Sequence, residues 1–503
     1  MADGTDEGVI LGATMGLCGT CKRTVPAETV RASGKIVLRK RCELHGPEEV
    51  LVSNSADWYE DTVRHASVLE RPASPRPISA GCPYDCGPCE QHEQRNHLPV
   101  VPITSKCDLD CPICYTHNKN EGAYHMSEGE LAAILRHLDH VAPGGVGGAA
   151  PLVGAKPPSV NRRIINITGG EPTQHPEFER LVEMCVSAGV RRVTISTHGL
   201  RFLRDEALLE RLARIDARVI LSFDSFEPEA NKKMLGGHHL NAKLKILDLL
   251  EKHAVATTLL PVLARGVNDH EVAAFIDLAL SKDFIRSVEF HPMTFTGQSG
   301  ASFERSARYT AFDALSDIER QSGGRIAVRD FVPSPLAHPL CYQIAYLLRL
   351  KDGHWLPFTR FMSRDDLRSL LSQELYIVPG PEMEQILVDV LNRLWAGDIE
   401  CEETDAVLAA LKDLVERMFA PGTDEAIRMR IAEMHTKAIY VHTHMDEETF
   451  DTDRIRRCCV GMPGPDGSNV PSCAYNVLYR ERDARFSPRP ATPLVQLGRG
   501  RTR

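Results

Sequence analysis

From residue 98 onward the sequence alternates two kinds of segment, and this alternation limits the fold more than any other feature. Short β-branched runs, "LPVVPITS", "RRIINITG", "RRVTISTH", "RVILSFDS", "TTLLPVLA" and "RSVEFHPM", are separated by longer amphipathic stretches such as "FERLVEMCVSAG", "DEALLERLARI" and "NAKLKILDLLEKH". The short runs are nearly continuously apolar, as strands of a buried parallel sheet should be. Six strands with intervening helices predict a parallel barrel or partial barrel over residues 98–330. The helix in "MSEGELAAILRHLDHV" has Ser127 as N-cap and Glu130 to complete a capping box. A glycine- and proline-rich insertion, "APGGVGGAAPLVGAKPPS", reads as a mobile loop. In such a sheet, function gathers at the C-terminal ends of the strands. The residues there are three cysteines, then "GGEPT", "STHG", "SFDS" and "LARGVND".

At 503 residues the chain exceeds one compact core. Its net charge of −9 argues against a protein that grips nucleic acid over a broad face, so no nucleic-acid partner is expected. No uncharged apolar run is long enough to span a membrane. The opening residues, "MADGTDEGVI", lack the basic and apolar regions of a secretory signal, which predicts a cytoplasmic, reducing location.

In that setting clustered cysteines point to metal rather than disulfides. Of 15 cysteines, 13 fall in four groups. Residues 1–66 carry Cys18, Cys21, Cys42 and His45, a C-x2-C and C-x2-H pair that suits one tetrahedral zinc or iron in a small rubredoxin-like or zinc-ribbon-like unit. Residues 67–97 combine a proline-rich linker with Cys82, Cys86 and Cys89 at C-x3-C-x2-C spacing. The same spacing recurs at Cys107, Cys111 and Cys114, at the end of the first barrel strand. Residues 331–480 read as mainly helical, and bring Cys341, Cys458, Cys459 and Cys473 as a fourth group. Cys185 and Cys401 read as structural. The basic stretch 481–503, with Arg482, Arg485, Arg489, Arg499, Arg501 and Arg503, reads as a disordered tail.

Three thiolates at this spacing can wrap three irons of a [4Fe–4S] cubane and leave the fourth iron for a small molecule. A ferredoxin-like electron carrier or a zinc knuckle would share the spacing but would leave "GGEPT" and the six β/α units unexplained. "CDLDCPIC" followed by "GGEPT" at the next strand end resembles the radical S-adenosylmethionine (radical SAM) superfamily. The resemblance implies a partial (β/α)6 TIM-like barrel whose Cys107, Cys111 and Cys114 hold the catalytic cluster. SAM would bind the unique iron, and reductive cleavage would give a 5′-deoxyadenosyl radical that abstracts hydrogen from an unactivated C–H bond. Gly169, Gly170, Glu171 and Pro172 would form the SAM-binding turn, with backbone and carboxylate facing the SAM ammonium. Tyr115 would serve adenine packing, because Ile113 stands where the superfamily usually has an aromatic residue. Ser196, Thr197, His198, Ser222, Asp224 and Asn268 lie where they could contact SAM or substrate, or simply cap turns.

Cys82, Cys86 and Cys89 read as ligands of an auxiliary [4Fe–4S] cluster, and the C-terminal group as a second. Two such cubanes need eight ligands and these groups offer seven thiols, so a residue such as His92, an open iron or a borrowed cysteine would complete the set. The order of motifs is similar to the radical SAM group that includes the tetraether lipid synthases and the dihydropterin methylases. The terminal "RCC…PDG…CAYN" favours the lipid-coupling branch, with C–C bond formation between alkyl chains. A pterin or other small-molecule C-methyltransferase is the alternative, and a multi-cluster electron carrier a third. The implied partners are SAM, a hydrophobic or small-molecule substrate and a reductant such as ferredoxin or flavodoxin. The basic tail could touch anionic lipid head groups at a membrane surface.

Overall fold

The computed structural model describes residues 8–72, 75–87, 89–139, 164–464 and 468–487. The glycine-rich insertion, the PDG turn at 465–467 and the arginines from Arg489 onward lie outside the described residues.

The first unit is an antiparallel meander of β1 (Val9–Leu17), β2 (Thr24–Ala32), β3 (Lys35–Cys42) and β4 (Gly46–Ser53), in that spatial order. It docks on the C-terminal part of the chain. The Thr14 hydroxyl donates to Asp451 Oδ1 at 2.6 Å, and Lys40 Nζ donates to the carbonyls of Leu17 and Glu448.

The barrel strands are β5 (Leu98–Thr104), β6 (Ile164–Gly169), β7 (Arg192–Thr197), β8 (Arg218–Ser222), β9 (Thr257–Leu260) and, after the short β10 (Val262–Leu263), β11 (Ile285–Pro292). They lie parallel in the order β5-β6-β7-β8-β9-β11, the partial (β/α)6 barrel that the sequence predicts. The helix at Glu128–Asp139 starts on the expected capping box: Glu130 N donates to Ser127 Oγ, and Ser127 N to Glu130 Oε2.

The strands are not apolar on both faces. Ile165 and Ile167, Val193 and Ile195, Val219 and Leu221, and Val288 and Phe290 point outward into the core shared with the helices. Their neighbours Asn166 and Thr168, Thr194 and Ser196, Ser222, and Ser287 and Glu289 point into a central cavity. Period-two alternation thus separates a greasy outer layer from an interior where these polar side chains stand among Ile164, Ile220 and Leu260.

The C-terminal part holds the expected helices, among them Pro381–Ala396, Thr404–Met418 and Glu425–His435. It also adds strands that the sequence reading does not anticipate: β12 (Val332–Pro333), β13 (Tyr342–Arg349), β14 (Trp355–Pro357), β15 (Thr436–His442), β16 (Val460–Pro463) and β17 (Asn469–Pro471). β15 runs parallel beside β11 with β13 antiparallel next to it, while β16 extends the opposite edge beside β5. These additions cover both edges of the partial barrel.

The assignment of residues 481–487 to a disordered tail is corrected. Asp483 is buried, accepts from Tyr475 Oη at 2.7 Å and pairs with Arg485, and Phe486 is buried beside it. An ion pair and an aromatic anchor hold this segment despite its basic composition. Among the described residues no helix is long and apolar enough to cross a membrane.

Candidate active site

A cavity of about 340 Å³ occupies the barrel interior. The thiol-bearing loop follows β5, so Cys107, Cys111 and Cys114 reach this cavity from the strand's C-terminal end. Burial pushes the Cys107 thiol up to about 12, and raises Cys111 as well. Three thiolates gathered on one cavity, Cys107 buried and the other two partly so, need positive charge nearby, and cluster irons would supply it. The donor set therefore fits the cluster that the spacing implies.

The "GGEPT" turn is held hard against this loop. Gly170 N donates to Thr104 O at 2.8 Å and Glu171 N to Lys106 O at 2.7 Å. A Cβ on Gly169 would stand 2.4 Å from Thr104 O, and one on Gly170 2.4 Å from Lys106 O. Only glycine allows backbones to approach so closely.

Glu171 has a different role from the one expected. Its Oε1 accepts from Thr173 N, Thr173 Oγ1 and Thr197 Oγ1, and its Oε2 from His198 N at 2.9 Å. The carboxylate is thus occupied by internal donors and ties the β6 turn to the end of β7. Pro172 opens a short 3₁₀ turn and does not line the cavity.

Ser196, Thr197, His198, Ser222 and Asp224 all border the cavity. Ser196 Oγ donates to Asn166, Asp224 Oδ1 accepts from Val262 N, and His198 Nε2 meets Asp108 Oδ1 at 2.8 Å. Lys243, absent from the sequence reading, is buried and donates to His198 O and Ser222 O, which joins two strand ends. Tyr115 lines the cavity and stacks on His444 with centroids 5.6 Å apart.

Asn268 is corrected from ligand contact to scaffold. It is fully buried, donates to Asp224 O and Val262 O, and accepts from Ala264 N at 2.8 Å. Asn268→Ala strands three buried backbone groups, so urea unfolding should show a loss of about 3 kcal/mol. Calorimetry should find SAM binding retained, since the side chain does not border the cavity.

At the N-terminus Cys18, Cys21, Cys42 and His45 offer ligand atoms within 4.8 Å of one another. The Cys21 and Cys42 sulfurs are 3.9 Å apart, close to the ~3.8 Å edge of a tetrahedral zinc–thiolate site. The Leu44 backbone N–H is the main influence holding the Cys42 thiol down to about 6, poised for the thiolate form. Cys42→Ser should drop the zinc content of this unit to about none, by elemental analysis, with iron unchanged.

The remaining thiols form two groups. Cys82, Cys86 and Cys89 sit together, with the Cys86 thiol driven up by the Cys82 sulfur and by burial. Cys341, Cys458 and Cys473 interact through their charges, and Arg454 donates to the Cys341 sulfur at 3.5 Å. Cys459 is buried in the C-terminal core. His92, offered above as a non-cysteine ligand, bonds the Cys458 carbonyl through Nε2 at 3.1 Å. All 15 cysteines are free of disulfides, and Cys185 is packed in the barrel core.

The sequence reading also missed Glu289, His291, His442, His444 and Arg480 on the cavity wall. The signal was there, since "SVEFHP" and "YVHTH" place polar residues at every second position.

Barrel, thiol triplet and glycine turn are those of a radical SAM enzyme, and the profile of the radical SAM superfamily matches residues 101–279. The profile of the HMPTM N-terminal zinc ribbon domain matches residues 10–54. The chain is similar to the Methanocaldococcus jannaschii protein named 7,8-dihydro-6-hydroxymethylpterin dimethyltransferase, at 25% identity over 94% of this chain and 95% of that one. It also resembles a Limosilactobacillus fermentum GTP 3',8-cyclase, at 33% identity over 32% of this chain and 47% of the relative. A Streptococcus suis SuiB crystal structure bound to precursor peptide SuiA aligns over 46% of each chain at 15% identity, with a TM-score of 0.35, too low to argue from. The preference for lipid coupling finds no support in these relatives. It rests on terminal motifs, which lie outside the barrel strands.

Proposed function

We propose that this enzyme is a radical SAM C-methyltransferase acting on a pterin-like heterocycle. The observation that carries this reading is a mixed inner wall, in which polar side chains stand at fixed places among apolar ones. Asn166, Thr194, Ser196, Thr258, Ser287 and Glu289 face the space beside the cysteine loop. Several of these groups pair with one another, since Ser196 Oγ donates to Asn166 Oδ1 and the Thr258 and Ser287 hydroxyls lie 2.8 Å apart, so they form fixed polar points among Ile164, Ile220 and Leu260. A flat heterocycle with ring nitrogens and a carbonyl can pair with them. The full-length similarity to a protein named as a pterin dimethyltransferase supports the same substrate class.

Cys107, Cys111 and Cys114 would hold the catalytic cluster. When bound, the cluster and SAM supply a radical able to take hydrogen from a C–H bond. The rest falls to this chain. The Gly169–Gly170 backbone brings the turn against the cysteine loop, and Glu171 fixes that turn to β7. Lys243 locks the ends of β7 and β8, and the covered barrel keeps bulk water from the reacting carbon. Cys82, Cys86 and Cys89 on one side, and Cys341, Cys458 and Cys473 on the other, would hold auxiliary clusters. A ferredoxin or flavodoxin would deliver the electron.

The test is anaerobic incubation of reconstituted enzyme with SAM, dithionite and either 7,8-dihydro-6-hydroxymethylpterin or archaeal diether lipid. A mass gain of one CH2 unit on the pterin is the expected result. Coupled lipid chains with the pterin untouched would refute the proposal.

A further inference from the structure

We propose that His291, His442 and His444 bind a divalent transition-metal ion on the wall of the active cavity, separate from the cysteine-based centres. The site arises from the join between the barrel and its C-terminal extension. β11 and β15 run parallel, with Phe290 opposite Val441, and the same register sets His291 beside His442. His444 follows two residues later. The three rings offer ligand nitrogens within 4.8 Å of one another, and all three border the cavity. A metal with bonds of ~2.1 Å draws such nitrogens to ~3.4 Å, a closure that small ring rotations provide.

Glu289 prepares the set. Its Oε1 accepts from His291 Nε2 at 2.9 Å and from His442 Nδ1 at 3.0 Å. As a carboxylate, Glu289 offers an oxygen that accepts from both rings. Each ring therefore gives its N–H to Glu289, and the opposite nitrogen, Nδ1 of His291 and Nε2 of His442, is left able only to accept. Among the described residues no side chain donates to either ring a second time. A carboxylate that orients a histidine is the usual second partner of a metal-bound imidazole. Tyr342 stacks on His442 at 3.7 Å and Tyr115 on His444 at 5.6 Å, which restrains both rings.

Three imidazole ligands suit zinc and leave a position open towards the cavity. That position would take a carbonyl oxygen or ring nitrogen of the substrate, a consequence that rests on the heterocycle reading. The metal site itself does not, and its occupancy can be read with no substrate present. The nearby Cys473 sulfur, 3.7 Å from His444 Nδ1, offers the competing arrangement in which His444 ligates an auxiliary cluster.

The experiment uses the full chain, reconstituted with iron and sulfide and then titrated with zinc. Zinc and iron are counted by elemental mass spectrometry, and zinc is located by anomalous diffraction at its absorption edge. A second zinc, beyond the one in the N-terminal unit, is expected at the three histidines. The double variant His442→Gln/His444→Gln should lose only this second zinc, while Cys42→Ser loses only the first. Glu289→Gln should weaken the second site by about tenfold or more. A wild-type map with no zinc peak at the histidines overturns the proposal, whether or not any variant folds. Loss of iron rather than zinc from the double variant also overturns it. Zinc at the histidines in an enzyme that leaves pterin unchanged would uphold the metal site and sink the substrate reading alone.

Discussion

Cys111→Ala is expected to lower 5′-deoxyadenosine formation by about a thousandfold or more, to the background of the uncatalysed reaction. The three thiols enter one cavity from a single loop, and no other cysteine borders that cavity. A substitute ligand is therefore not at hand when one is removed. Metal bound by the N-terminal unit should survive, because Cys18, Cys21, Cys42 and His45 belong to the separate β1–β4 sheet and its loops. Chromatography of reaction mixtures with dithionite reads the first outcome, and elemental analysis reads the second. Turnover that persists in Cys111→Ala would place the catalytic centre elsewhere.

Gly170→Ala is expected to weaken SAM binding about a hundredfold, equivalent to ~2.7 kcal/mol. The added methyl would lie 2.4 Å from Lys106 O, 2.7 Å from its carbonyl carbon and 2.9 Å from Ser105 O. All three are backbone atoms one or two residues ahead of Cys107, so no side chain can swing aside. Either the turn or the start of the cysteine loop must move. The hydrogen bonds from Gly170 N and Glu171 N that join them would lengthen together. Equilibrium dialysis with labelled SAM measures the effect. Wild-type affinity in this variant would show that the two segments need not touch.

What could be read from the sequence was what short spacing determines. The C-x3-C-x2-C triplet, the zinc knuckles, the Ser127–Glu130 capping box and the alternation of strands and helices all depend on residues a few positions apart. What escaped depends on pairing across long separations. β15 joins β11 across some 150 residues, and only that pairing brings His442 and His444 beside His291. Strand interiors were read as uniformly apolar because Ile, Val and Leu dominate them. The polar alternate positions, Asn166, Thr194, Ser196 and Glu289, interrupt these runs and mark the face that lines the cavity. Glu171 and Asn268 stand at the predicted strand ends, yet internal donors and acceptors occupy them. A sequence shows where a polar side chain sits and not which partner claims it first. The terminal cysteine motif likewise says nothing of the barrel's inner face, and so it does not select a substrate.

The most direct test is electron–nuclear double resonance on the reduced enzyme with SAM labelled at its amine nitrogen and carboxylate oxygens. Hyperfine coupling from both labels to one cluster is predicted in the wild type, and its disappearance in Cys111→Ala. A cluster signal indifferent to labelled SAM, or a cysteine loop filled with zinc, would contradict the account.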